Sequence, residues 1–85
     1  STKIISSVKQ NVMVDGENIT YWLVEIDKGS DHFVRKGIDF TTEDNNTFFS
    51  IDSVLKNKSY SKVYQYDISS ESQIKKGTVF RTNWN

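Results

Sequence analysis

The sequence contains no cysteine, no proline and no alanine among its 85 residues, and only two leucines and four glycines. Without cysteine the chain forms no disulfide, and thiol catalysis and thiolate zinc sites are excluded. Because alanine is missing and leucine is scarce, strong helix formers are few, and an all-helical bundle is excluded. The chain is too short for two hydrophobic cores, so we expect one domain over residues 1–85.

Long apolar runs and excess charge of one sign are also missing. The run at residues 21–24 is far shorter than the roughly 20 residues that span a bilayer, and the N-terminus lacks the apolar stretch of a signal peptide. Eleven basic residues balance eleven acidic ones, which disfavours a polybasic nucleic-acid binder. We therefore expect a cytoplasmic protein with no membrane partner.

Residues that favour β-strands dominate what is present. Isoleucine, valine, threonine and the aromatic residues make up 34 of the 85 residues, which indicates a sheet-rich domain. Two runs of alternating apolar residues flank Asp15 and Gly16, a pair typical of a two-residue turn, and predict a β-hairpin. After this turn Trp22, Val24 and Ile26 share one strand face. Further strands are predicted at residues 32–40, 62–68 and 78–82.

The apolar period changes between these strands. Phe48, Ile51 and Leu55 follow helical spacing and predict a short helix that Thr47 or Ser50 caps. The order β-β-β-α-β-β resembles that of the OB barrel, while SH3-like barrels and open sheets with one helix give nearly the same order. We expect a β-rich α+β fold, with a five-stranded antiparallel sheet or small OB-like or SH3-like barrel and one short helix between strands 3 and 4.

Core positions follow from the same alternation. Ile4, Val8, Val12 and Val14 are predicted to share one strand face before the turn. The predicted apolar core comprises Val8, Val12, Trp22, Val24, Ile26, Val34, Ile38, Phe48, Ile51, Leu55, Val63 and Phe80.

Residues for catalysis are sparse. His32 is the only histidine, and it follows a Gly-Ser-Asp turn, a context typical of an exposed side chain. A lone histidine cannot build the usual zinc shell, and no serine lies in a Gly-x-Ser-x-Gly motif. Neighbouring carboxylates occur at predicted turns, where they bond to the backbone, and no two glycines are close enough to cradle a phosphate. We expect no enzyme activity, no cofactor and no metal.

The remaining candidates form surfaces. Residues 15–52 carry nine acidic and three basic side chains, whereas residues 56–85 carry six basic and two acidic ones. Eleven aromatic residues exceed what so small a core hides, and alternation places Tyr64 and Tyr66 on one strand face with Lys62. Such interleaving is typical of single-strand nucleic-acid binding and of protein interfaces. The predicted interface is Tyr60, Lys62, Tyr64, Tyr66 and Arg81. A second, acidic site is predicted at Glu25, Asp27, Asp31 and Asp39.

The main hypothesis is non-catalytic binding of a protein partner. OB domains bind over strands 2 and 3, which here would carry the acidic residues and repel phosphate, so nucleic acid ranks second. Residues 64–82 resemble strand–turn–strand segments of bacterial cell-surface and SH3-like modules, which implies surface attachment as a third hypothesis. The small size and the start at Ser1 suggest a complete gene product, such as a phage or mobile-element regulator or inhibitor. The oligomeric state is left open.

Overall fold

The computed structural model describes residues 2–42 and 47–82. The strands are β1 (Thr2–Val14), β2 (Glu17–Ile26), β3 (Asp39–Thr42), β4 (Phe48–Ser50), β5 (Ser53–Val54), β6 (Ser59–Tyr64) and β7 (Val79–Thr82). Short 3₁₀ helices are η1 (Ser30–His32), η2 (Gln65–Asp67) and η3 (Glu71–Ile74). The predicted β-rich antiparallel fold is confirmed, but the predicted count of five strands is wrong.

The seven strands within these described residues belong to one antiparallel sheet with the order β4-β3-β7-β1-β2-β6-β5. Only Ile51 and Asp52 separate β4 from β5, although these strands form opposite edges of the sheet. The Ser61 hydroxyl donates a hydrogen bond of 2.6 Å to the Ser50 carbonyl, and the Asp52 N–H donates one of 2.9 Å to the Tyr60 carbonyl. The sheet therefore curves until its two edges adjoin, and the core lies inside the curve.

The predicted hairpin is confirmed. Asp15 has φ 50° and Gly16 has φ 81°, the pair of positive values that a type I′ turn requires. The turn joins Val14 to Glu17, and the two strands stay paired back to Ile4 and Ile26. The hairpin is the longest element of the fold.

A β-bulge between Ile4 and Ser6 overturns the prediction that Ile4 and Val8 share one face of β1. The extra residue exchanges the two faces of the strand. Ile4 therefore faces the core opposite Ile26, while Val8 lies opposite Leu23 on the outer face. The predicted core positions Val8 and Val12 are wrong, since these side chains are 48% and 39% exposed.

The observed core confirms seven of the predicted positions. The third strand begins later than expected, at Asp39, but Val34 is still buried. Ile38 is half-buried against the core. The prediction for Phe48 lies outside the side chains that the structure describes. The buried apolar residues are Ile4, Trp22, Val24, Ile26, Val34, Phe40, Phe49, Ile51, Val63, Ile74 and Phe80.

The predicted helix after residue 47 is wrong, because this segment forms β4 and β5. Phe49 and Ile51 are buried and alternate with exposed Ser50 and Asp52, which is the period of a strand. β4 pairs with β3, and β5 pairs with β6. Leu55, expected in the core, lies beyond β5 and is 50% exposed.

Gly29 holds the loop after β5 against the loop after β2. A Cβ atom at Gly29 would lie 2.2 Å from the Leu55 carbonyl oxygen and 2.6 Å from the Lys58 nitrogen. The Ser30 N–H donates a 2.9 Å hydrogen bond to the same Leu55 oxygen. This contact fixes the loop that carries Lys58 beside the start of β6.

Candidate functional site: the tyrosine face

All four tyrosines of the chain lie on the outer side of β2 and β6 or directly beside it. β6 pairs with β2 so that Tyr64 lies opposite Tyr21 and Tyr60 lies opposite Glu25. Cross-strand partners project to the same side of a sheet, and these positions alternate with core residues such as Val63. We call this surface the tyrosine face, and it comprises Tyr21, Tyr60, Lys62, Tyr64 and Tyr66.

The aromatic rings of this face form a continuous ladder. The Tyr21 and Tyr64 ring centroids are 5.9 Å apart, with planes tilted by 50°. The Tyr64 and Tyr66 rings are stacked, with centroids 5.4 Å apart and planes at 16°. Tyr66 lies in η2 beyond the end of β6 and is 77% exposed. The ladder therefore runs from the half-buried strand residues to a ring open to solvent.

Lysines approach two of these rings. The Lys62 ammonium lies 5.4 Å from the Tyr21 ring centroid, and the Lys58 ammonium lies 5.9 Å from the Tyr60 centroid. Both distances suit cation–π attraction. The pKa of Lys58 is raised above its ordinary value by hydrogen bonding with the Tyr60 hydroxyl and by the nearby Glu25 carboxylate. Lys58 thus retains its charge beside Tyr60.

A cleft of about 310 Å³ opens at the side of the tyrosine face, with Lys62, Tyr64, Asp52 and Asp67 in its lining. A carboxylate oxygen of Asp52 accepts a 2.6 Å hydrogen bond from the backbone N–H of Lys62. The cleft and the face together combine cationic and anionic groups around an aromatic ladder. This arrangement offers flat apolar contact, several hydroxyl groups and charges of both signs.

The structure brings together four of the five residues predicted for the interface, namely Tyr60, Lys62, Tyr64 and Tyr66. Arg81 does not join them, because it lies on β7 and two strands, β1 and β2, separate β7 from β6. In the register of the sheet Arg81 lies opposite Thr41 of β3. Sequence distance gave no indication of this separation.

The predicted acidic site is dispersed. Glu25 lies opposite Tyr60 on the outer side of β2, so it borders the tyrosine face instead. The Asp27 carboxylate accepts a 3.0 Å hydrogen bond from the backbone N–H of Lys3, and the Asp39 carboxylate accepts one of 2.5 Å from the Ser50 hydroxyl. Asp31 is an exposed residue of η1. Two of the four carboxylates therefore bind within the fold.

Sequence reasoning missed the apolar part of this surface. Val8 lies opposite Leu23 and Val12 lies opposite Ile19 on the outer side of the hairpin, next to Tyr21. The register of the Asp15-Gly16 hairpin could have placed Tyr21 on the site. The same register places Val8 opposite Leu23 on the outer side.

Other site types find little support in residues 2–42 and 47–82. Within these ranges no three histidine, cysteine or carboxylate side chains are grouped as metal ligands. His32 is an exposed residue of η1. No helix in the same ranges is long and apolar enough to cross a membrane. No family model, curated protein or solved structure matches this chain.

Proposed function

We propose that this chain is a non-catalytic protein-binding module that binds its partner through the tyrosine face. The observation that supports the proposal is the gathering of every tyrosine of the chain on one surface, two of them beside lysine ammonium groups. Tyrosine is enriched among the residues that dominate protein interfaces, because it combines a large apolar area with one polar group. The adjoining valines and Leu23 extend the contact area.

Charge favours a protein partner over a nucleic acid. The positive charges of Lys58 and Lys62 are balanced by nearby carboxylates on the same surface, those of Glu25, Asp52 and Asp67. Phosphate recognition depends on an excess of cationic groups, whereas a mixed-charge rim suits a protein surface. Binding of single-stranded nucleic acid to the Tyr21–Tyr64–Tyr66 ladder is the competing function.

The proposed role follows from the kind of binding. A small module that binds without performing chemistry acts by occupying part of its partner's surface. We therefore propose a regulator or inhibitor of a host protein, with the tyrosine face as the blocking surface.

Matched aromatic variants test this proposal. Tyr66 is 77% exposed on the tyrosine face, and Phe33 is 78% exposed in the loop after η1. The immobilised protein is used to capture a partner from a lysate of its source organism, and each variant is compared with the unmodified chain. Tyr66→Ala is expected to reduce capture of that partner about tenfold or more, as hot-spot residues do, while Phe33→Ala preserves it.

Two results would overturn the proposal. Equal capture by the Tyr66→Ala and Phe33→Ala proteins would remove the tyrosine face from the interface. Binding to a single-stranded oligonucleotide that falls steeply with rising salt, and that Tyr66→Ala abolishes, would assign the face to nucleic acid.

A further inference from the structure

The outer edge of β1 is open along most of its length. β7 pairs with β1 only at Thr2 and Lys3, and two further bonds follow, from the Ile4 N–H to the Thr78 carbonyl and from the Gly77 N–H to the Ile4 carbonyl. From Ser6 to Val14, β1 pairs with β2 alone. Within residues 2–42 and 47–82 no strand pairs with the other edge of this segment, which leaves nine residues of strand unpaired on that side.

This edge has few of the features that normally prevent strand addition. Natural edge strands are protected by proline, charged side chains, bulges or short length. The segment from Ser6 to Val14 contains no proline, and Lys9 is its only charged residue. Val12, Met13 and Val14 are 39%, 69% and 47% exposed. The segment is thus long, accessible and nearly uncharged, the type of edge that pairs with another strand.

The turn determines which backbone groups are available for such pairing. In a hairpin closed by two residues, the flanking pair Val14 and Glu17 exchanges both hydrogen bonds. Alternation then turns the N–H and C=O groups of every second residue away from β2. The outward groups belong to Ser7, Lys9, Asn11 and Met13.

We propose that β1 pairs antiparallel with β1 of a second copy of this chain, around a two-fold axis at Gln10. Gln10 is the midpoint of the open segment, and this register places outward-bonding residues opposite each other, with Ser7 opposite Met13 and Lys9 opposite Asn11. It also places Val8 opposite Val12 on the outer face. In this register the two Lys9 side chains lie apart. A register centred on Lys9 would place them directly opposite each other, which like charges disfavour.

The pairing joins the two tyrosine faces. The two-fold axis runs perpendicular to the plane of the sheet, so the outer faces of both copies lie on the same side. The order β6-β2-β1 of one copy then continues into β1-β2-β6 of the second, with the exposed valines at the centre and one tyrosine ladder at each side. Dimerisation does not depend on the proposed function, but it would make the binding surface bivalent.

Opposite charges at the axis test this register. Gln10 faces its own copy across the two-fold axis, so Gln10→Lys and Gln10→Glu each place like charges directly opposite each other. Sedimentation equilibrium of the unmodified chain from micromolar to millimolar concentration is expected to show reversible dimers. Each variant is expected to dimerise about fivefold more weakly, and an equimolar mixture of the two is expected to regain dimers as mixed pairs. Circular dichroism of each variant checks that the fold is retained.

The outcomes separate the proposal from its alternatives. An unmodified chain that stays monomeric up to millimolar concentration would overturn dimerisation, whatever the variants do. Pairing at Gln10 would be overturned if neither variant weakened the dimer. It would also be overturned if the mixture of the two variants associated no better than each variant alone. Loss of partner capture by Tyr66→Ala with dimers intact would show that the two proposals stand separately.

Discussion

Substitution of Gly29 by alanine tests the loop contact that holds Lys58 beside Tyr60. The new Cβ would lie 2.2 Å from the Leu55 oxygen, 2.6 Å from the Lys58 nitrogen and 2.8 Å from the Lys56 carbonyl carbon. All three atoms are backbone, so no side chain can rotate away. Ordinary contact needs about 3.5 Å, and the two loops must therefore separate by roughly 1 Å.

This separation weakens the hydrogen bonds that join the loops. The Ser30 and Asp31 N–H groups donate to the Leu55 and Lys56 carbonyls, each at 2.9 Å. Net loss of about 1 kcal/mol for each bond, with about 1 kcal/mol of overpacking strain, gives a destabilisation of about 3 kcal/mol. For a small domain this is a large share of the free energy of unfolding.

Urea unfolding followed by the fluorescence of buried Trp22 measures the effect. The matched control is Gly77→Ala, because Gly77 has φ 92° but no atom within 4 Å of its Cβ position. This control carries only the backbone strain, about 1 kcal/mol. A Gly29→Ala protein no less stable than the Gly77→Ala protein would refute the reasoning.

Three further predictions concern single side chains. Ile74→Ala truncates a fully buried side chain of η3 and is expected to destabilise the protein by about 3 kcal/mol in urea unfolding. Its control, Leu55→Ala, lies at a half-exposed position and is expected to cost less than about 1 kcal/mol. Equal losses of stability in the two variants would contradict the observed core. Phe33 has φ 64° and is 78% exposed, so Phe33→Gly is expected to raise stability by about 0.5 kcal/mol, and a loss in the same assay would contradict this. Tyr60→Phe removes the hydroxyl that raises the pKa of Lys58, so a lysine NMR titration should show that pKa falling. The raised pKa of Lys58 stabilises the unmodified protein below the ordinary lysine pKa, and this contribution is lost as the pH rises through the pKa of the folded state. Tyr60→Phe lacks the contribution, so its free energy of unfolding should fall less than that of the unmodified protein when the solution is made alkaline.

Local features of the fold could be predicted because short-range physics determines them. Asp15 and Gly16 favour the positive φ values of a type I′ turn wherever they occur between alternating strands. The alternation of Trp22, Val24 and Ile26 predicts one buried face, and the structure buries all three. The same period placed Tyr64 on the outer face, where it is found.

Features that depend on partners in space could not be predicted. The segment after residue 47 fits helical spacing at three positions and strand spacing at others, and its conformation is decided by pairing with β3 and β6. The separation of Arg81 from Tyr60 depends on the order of strands in the sheet. Local sequence predicts pairing across a tight turn, as between β1 and β2, but not pairing between strands distant in the chain, such as β2 and β6.

The sequence by itself determined a β-rich chain without cysteine chemistry, a tight hairpin at Asp15, and the placement of Lys62 and Tyr64 on one strand face. These follow from residue types and from the two-residue period of a strand. Only the tertiary structure decided that β6 pairs with β2, which brings Tyr64 beside Tyr21, and that Ile4 faces the core. A single bulged residue reverses the faces of β1, and whether a strand bulges depends on the strands it pairs with.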